Sequence, residues 1–171
     1  MQTSILDAKF HSRLLQDLDH VCEYARVQQK FVHHSMKEWC SEKEVDWVVN
    51  FNKYREEGVA GLLLSGKSSS DRCMAIAGAL LRNFIDARVV GVNDLVGDAV
   101  PEPTVLLVHN LFVTTHGTSF TSWQIQTIYD VLLSRFTSNK PTVVYVDSIA
   151  NMANAFGQVI AEHLEEHFIQ V

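Results

Sequence analysis

Cysteine, proline, long apolar runs and positive charge are all scarce in this chain. Cys22, Cys40 and Cys73 are odd in number, widely spaced and in no CxxC pair, which indicates neither a disulfide framework nor a zinc knuckle. A reducing cytosol fits that usage, so a cytoplasmic protein is expected. Only Pro101, Pro103 and Pro141 occur, and the break at residues 100–103 reads as a loop rather than an interdomain linker. No apolar run approaches the roughly 20 residues that span a bilayer, and the N-terminus lacks a signal pattern, so no membrane association is expected. Fourteen Lys and Arg stand against 20 Asp and Glu, for a net charge of −6. That argues against a basic nucleic-acid stripe as the main working surface and leaves DNA contact weak or absent.

What is present suits a folded domain. The 171 residues are 47% apolar and 20% charged, enough chain for one proper core. The organising stretch is residues 58–81, GVAGLLLSGKSSSDRCMAIAGALL. Residues 59–64 form a continuous apolar run, the pattern of a strand buried on both faces of a parallel sheet. A polar loop at 65–72 follows, and then Met74, Ala77, Leu80, Leu81, Phe84 and Ile85 recur at helical spacing. Strand, loop and helix in that order make the setting of a phosphate-binding loop.

The working motif is G-x-x-x-x-G-K-[ST], whose backbone N–H groups wrap phosphates while the lysine reaches their oxygens and the hydroxyl holds magnesium. Framed from Gly66, this chain reads Gly66, Lys67, Ser68, Ser69, Ser70, Asp71, Arg72, Cys73. Asp71 stands at the second glycine, adding negative charge and a Cβ. Arg72 replaces the lysine with a planar fork. Cys73 replaces the hydroxyl with a thiol, a poor magnesium ligand. An ordinary polar strand-to-helix turn is the alternative reading.

Before this unit, residues 10–38 are predicted as one helix with Leu14, Leu18, Val21, Cys22 and Ala25 on its apolar stripe. Ser41 and Glu44 read as a capping box opening a second helix through Trp47, Val48, Phe51 and Tyr54, stopping at Gly58. An N-terminal helical segment, residues 1–57, thus precedes an α/β domain, residues 58–171. After it come strands at 87–92, 104–108 and 142–146, helices at 119–137 and 151–166, and a terminal strand at 168–171. Strands alternating with helices imply a three-layer α/β fold of the P-loop type with about five parallel strands. A nucleotide-hydrolysing site would need acidic residues at the end of the third strand, but that strand is followed by His109 and Asn110. Neither is a carboxylate.

From Trp39 onward the chain resembles the bacterial and phage replicative-helicase loaders, which are AAA+ proteins. The likeness rests on VDWVVNFNKY at 45–54, GLLLSG at 61–66, IQTIYDVLLSRFTSNKPTVV at 125–144 and GQVIAEHL at 157–164. By that resemblance Asp147 falls where the family has a polar sensor, and Val159 and His163 fall where it has intersubunit arginines. An arginine there neutralises charge in a neighbour's transition state, which valine cannot do. The resemblance implies a degenerate loader, a monomer or small dimer without catalysis or bound cofactor, whose partner is a replicative helicase or a helicase loader. An unorthodox nucleotide-binding loop at residues 66–73 and a structural subunit of another complex are the other readings.

Three further features have two readings each. His163, Glu166 and His167 match H-x-x-E-H, a zinc-binding pattern, against a solvated helical turn; no metal is expected. Leu14, Leu18, Val21, Trp47 and Phe51 are candidates for partner binding, against a place in the core. Lys67, Arg72, Arg135 and Lys140 could form a small basic patch, against unpaired surface charge.

Overall fold

A computed structural model describes residues 3–67, 69–97, 99–100, 102–116 and 119–171; Ser68 of the loop frame and Pro101 lie outside them. The N-terminal stripe does not run as one helix. It is divided into α1 (Ser12–Gln16), α2 (Leu18–Ala25) and α3 (Gln29–His33), with a 3₁₀ turn at Met36–Glu38. Arg26 enters the left-handed region at φ 55° and ends α2, a break that apolar periodicity does not reveal. The second segment is α4 (Glu42–Val49) and α5 (Phe51–Glu56), parted at Asn50, whose side-chain amide donates to the Asp46 carboxylate at 2.8 Å.

The α/β unit then runs β1 (Gly61–Leu64), α6 (Ser69–Arg82), β2 (Ala87–Val90), β3 (Val105–Phe112), α7 (Ser122–Thr137), β4 (Thr142–Val146), α8 (Ile149–Phe156), α9 (Gln158–His167) and β5 (Phe168–Gln170). Gly157, at φ +102°, parts α8 from α9 where the sequence predicted one helix. Among the described residues the strands form a five-stranded sheet in the order β2-β3-β4-β1-β5, parallel at every pairing. Gly61 makes the β1–β4 contact possible: a Cβ there would lie 1.7 Å from the Thr142 carbonyl oxygen.

Alternation along the strands feeds two cores. Leu62, Leu64, Val105, Leu107, Val143 and Tyr145 pack on one face beneath α6 and the N-terminal helices. Leu63, Leu106, Val108, Val144 and Val146 pack on the other with residues of α7, α8 and α9. The N-terminal helices therefore share a core with the sheet. Helices α6 and α8 leave the carboxyl ends of neighbouring β1 and β4 toward opposite faces, which makes the crevice there the place where open α/β sheets bind ligands.

Candidate functional site

At this crevice the loop after β1 is short. Helix α6 begins at Ser69, so Asp71, Arg72 and Cys73 lie in its first turns rather than in a phosphate cradle. Asp71 is exposed in the first turn, where a carboxylate suits the helix dipole. Arg72 turns inward and is only 9% exposed. Its Nε donates to Glu44 Oε1 at 2.9 Å, and its Nη1 donates to the carbonyls of Ser65 and Lys67. The carbonyl between them, Gly66, accepts from the Tyr145 hydroxyl.

Three successive carbonyls are thus engaged by interior donors. A phosphate-binding loop keeps its lysine for an anion; here the guanidinium at that position holds two of the loop's own carbonyl oxygens. On its interior side the loop turns carbonyl oxygens to a cation, and that cation is part of the chain. Glu44, fully buried, completes the charge pair; its other oxygen accepts the Ser41 backbone N–H and hydroxyl, each at 2.7 Å. A buried pair satisfied at this many points is stable where it stands and costly to break from one side. Lys67 remains exposed.

The thiols nearby are not nucleophiles. Cys73 is completely buried and burial drives its pKa up. Cys40 is pushed up to about 12, chiefly by burial, with Glu44 raising it further and Arg72 opposing. Neither supplies thiolate at neutral pH.

The expected acidic-residue position differs from the sequence reading. Strand β3 continues to Phe112 with a register irregularity between Val108 and Phe112, so His109 and Asn110 lie inside the strand rather than beyond its end. Asn110 Oδ1 accepts the Val92 N–H at 2.8 Å, which holds the 3₁₀ turn after β2. His109 is half-buried, and burial lowers its pKa, with Asp94 opposing and His116 adding to the fall. Asp147, after β4, accepts the Thr114 N–H at 2.8 Å and the Thr114 hydroxyl at 3.0 Å. Asn110 thus ties β3 to the turn after β2, and Asp147 ties the end of β4 to the turn after β3.

On α9, Val159 is 58% exposed and His163 is 6% exposed. His163 sits among Tyr129, Phe136, His167 and Phe168, and its Nε2 has no hydrogen-bond partner. It faces the core instead of a neighbouring molecule. Among the described residues no three His, Cys, Asp or Glu side chains are grouped to hold a metal, and so the H-x-x-E-H reading finds no ligand set.

The basic-patch reading is corrected by burial. Arg135 is 2% exposed; its guanidinium donates to Thr142 Oγ1 and to the carbonyls of Pro103, Thr104 and Pro141 at 3.0–3.2 Å. Burial lowers its pKa to about 10, with Glu102 opposing. Lys140 pairs with Glu102 at 3.0 Å. The partner-binding candidates are corrected likewise: Leu14, Leu18, Trp47 and Phe51 are buried in the first core, and only Val21 reaches the surface in part. Sequence reasoning missed Glu44 and Tyr145. Glu44 already had a local role as a cap, and nothing in its neighbourhood signals a partner 28 residues on.

No protein-family model matches the sequence, and no curated protein matches it. Among solved structures the chain is similar to AMPPCP-bound DnaA from Aquifex aeolicus, with a TM-score of 0.58 and 8% identity over 80% of this chain and 49% of that one. It is also similar to a DNA replication initiation factor, with a TM-score of 0.55 and 7% identity over 85% of this chain and 50% of that one. The five-stranded parallel α/β fold is shared with both structures. At such identities the likeness is one of fold, and the chain spans about half the length of each neighbour. In this fold, the crevice at the carboxyl ends of β1 and β4 is bordered on its β1 side by Arg72, Glu44 and Tyr145.

Proposed function

We propose that this chain is a non-catalytic AAA+ domain that acts through protein contact in DNA replication, binding a replicative helicase or its loader as an inhibitor, decoy or ATP-independent loader. One observation carries the non-catalytic part: the loop after β1 turns the Ser65 and Lys67 carbonyls onto the Arg72 guanidinium. The guanidinium at the motif's lysine position is thus held by the chain and not for a phosphate, and moving it to one would strand Glu44 as an uncompensated buried charge. Three other substitutions support the same reading. His109 and Asn110 offer no carboxylate to hold magnesium or orient water, and Val159 offers no charge to a neighbour's site. The replication context rests on the resemblance to helicase loaders and on a fold shared with DnaA and a replication initiation factor.

Calorimetric titration against the host's replicative helicase and, separately, its loader tests the reading. Micromolar or tighter binding that is indifferent to added ATP and magnesium is expected. No binding to either protein, together with saturable nucleotide binding, would overturn it in favour of a working phosphate site at residues 66–73. Arg72→Lys, which restores only the motif's lysine, is expected to show no ATP turnover.

A further inference from the structure

We infer that the face carrying Phe10 and Phe84 is a self-association surface, and that its occupant is a second copy of this chain. The argument starts from a helix end. Helix α6 closes with the Ile85 N–H donating to the Leu80 carbonyl at 2.9 Å and the Phe84 N–H donating to the Leu81 carbonyl at 3.0 Å. These two bonds define a Schellman motif, which requires a left-handed residue at the position of Phe84. Phe84 adopts φ 58°. Three other helices end in the same way, with Arg26, Gly58 and Asn139 at that position, and glycine and asparagine are the residues that adopt it most readily. A bulky aromatic there is strained, and backbone strain on a surface points to a role for the side chain.

The ring does not repair this by burial. Phe84 is 57% exposed and stacks edge-on against Phe10, itself 68% exposed, at 5.5 Å between centroids. His11 fixes the pair in place, its Nε2 3.2 Å from the Arg82 carbonyl oxygen. Beside the two rings lies a hollow of about 340 Å³ floored by Leu14, Leu81 and Ile85 and flanked by Val21. A cavity of about 150 Å³ already admits a benzene ring, so this one has room for a phenyl group.

Knob and hollow side by side on one surface are the geometry of an isologous two-fold contact, in which each copy inserts its aromatic into the other. The rim charges suit the same arrangement. Arg13, Asp17 and Asp86 border the hollow and make no ion pair among the described residues. A two-fold axis through the hollow brings the Arg13 of one copy toward the carboxylates of the other. Because both signs occur on one patch, its natural complement is itself.

Sedimentation equilibrium over a concentration series, up to about 1 mM monomer, tests this directly. The wild type is expected to show a reversible monomer–dimer equilibrium that weakens with salt. Phe10→Ser is expected to raise the dissociation constant at least about tenfold, the effect of losing a buried aromatic anchor. Phe84→Gly should do the same while leaving the thermal midpoint of the dilute monomer no lower, since glycine relieves the left-handed strain; this separates lost association from lost folding. Arg13→Glu should weaken the dimer and flatten its salt dependence. A wild type that is monomeric throughout the series would overturn the inference, as would a dimer unchanged in both aromatic variants. So would a monomer that uses the patch to bind a different protein, seen as loss of that protein's binding in Phe10→Ser. The helicase-binding reading stands or falls separately.

Discussion

Arg72 is a residue whose replacement of a lysine does more than alter a motif. A lysine at a phosphate loop is a mobile point charge held for a ligand; Arg72 has its fork fixed by Glu44 and by the backbone of the loop it follows. Removing one partner of such a buried pair costs about 3–5 kcal/mol, whereas replacing both by apolar groups of similar volume is close to neutral. Arg72→Met is therefore expected to lose about 3–5 kcal/mol in urea denaturation, and the Arg72→Met/Glu44→Leu double variant to recover most of it. Similar losses in the single and double variants would show that the two side chains act independently. The sequence showed that Arg72 departs from the motif. It could not show where the guanidinium goes, because a partner 28 residues away leaves no local signature.

His163 carries a pH dependence with a definite sign. Burial, and secondarily His167, lowers its pKa from 6.5, with Glu166 opposing. The rings of Tyr129, Phe136 and Phe168 pack around it. The neutral ring is the folded form, and the unfolded chain takes up the proton more readily. Its contribution to stability is present above about pH 6.5 and is lost as pH falls through the lowered folded value. His163→Phe is expected to remain stable at pH 7.5 and to lose less stability than the wild type between pH 7 and 5. Parallel loss in the two proteins would assign the acid sensitivity elsewhere, His109 being another group of the same sign.

Among the elements, the link from α7 to β4 is the clearest case of a sequence feature legible in outline and misread in role. A helix ending in arginine, a short turn and then Pro-Thr was visible in the chain. The structure uses Arg135 as a peg through the amino-terminal edge of the sheet, joining residues just before β3 to the start of β4. A lysine ammonium cannot span those four acceptors with one planar fork. Arg135→Lys is expected to cost about 3 kcal/mol, from two or so lost charged hydrogen bonds, with an unchanged urea m-value. A loss under about 1 kcal/mol would make the peg incidental.

Element types were legible because apolar periodicity survives in a single sequence, and the four-residue run Gly61–Leu64 is buried throughout as its pattern indicates. Element lengths were less so. Breaks at Arg26 and Gly157 are single-residue backbone events that leave the apolar stripe intact on both sides. The extension of β3 past Val108 occurs through polar His109 and Asn110, which look like a strand's end until the neighbouring strand is in place.

For the whole molecule, the α/β architecture with its parallel sheet followed from strand–helix alternation alone. What alternation could not supply was the relation between the N-terminal helices and the sheet. Trp47, Phe51, Leu14 and Leu18 lie on apolar stripes, which a docking face and a core both need, with core the commoner use at the spacing of Trp47 and Phe51; they are core. Through Glu44 and Arg72 the same helices reach the loop after β1, which couples the N-terminal segment to residues 65–67.

That coupling makes nucleotide binding the decisive quantity, and thermal denaturation with and without Mg-ATP is the measurement to make. A ligand at 100 times its dissociation constant stabilises the native state by about 2.7 kcal/mol, which for a chain of this size raises the midpoint by about 5–11 °C. At about 5 mM Mg-ATP, the expected result is no shift beyond that given by an equal concentration of magnesium and inorganic triphosphate. A saturable rise specific to ATP, abolished by Arg72→Met, would contradict the account by showing that the guanidinium serves a phosphate after all.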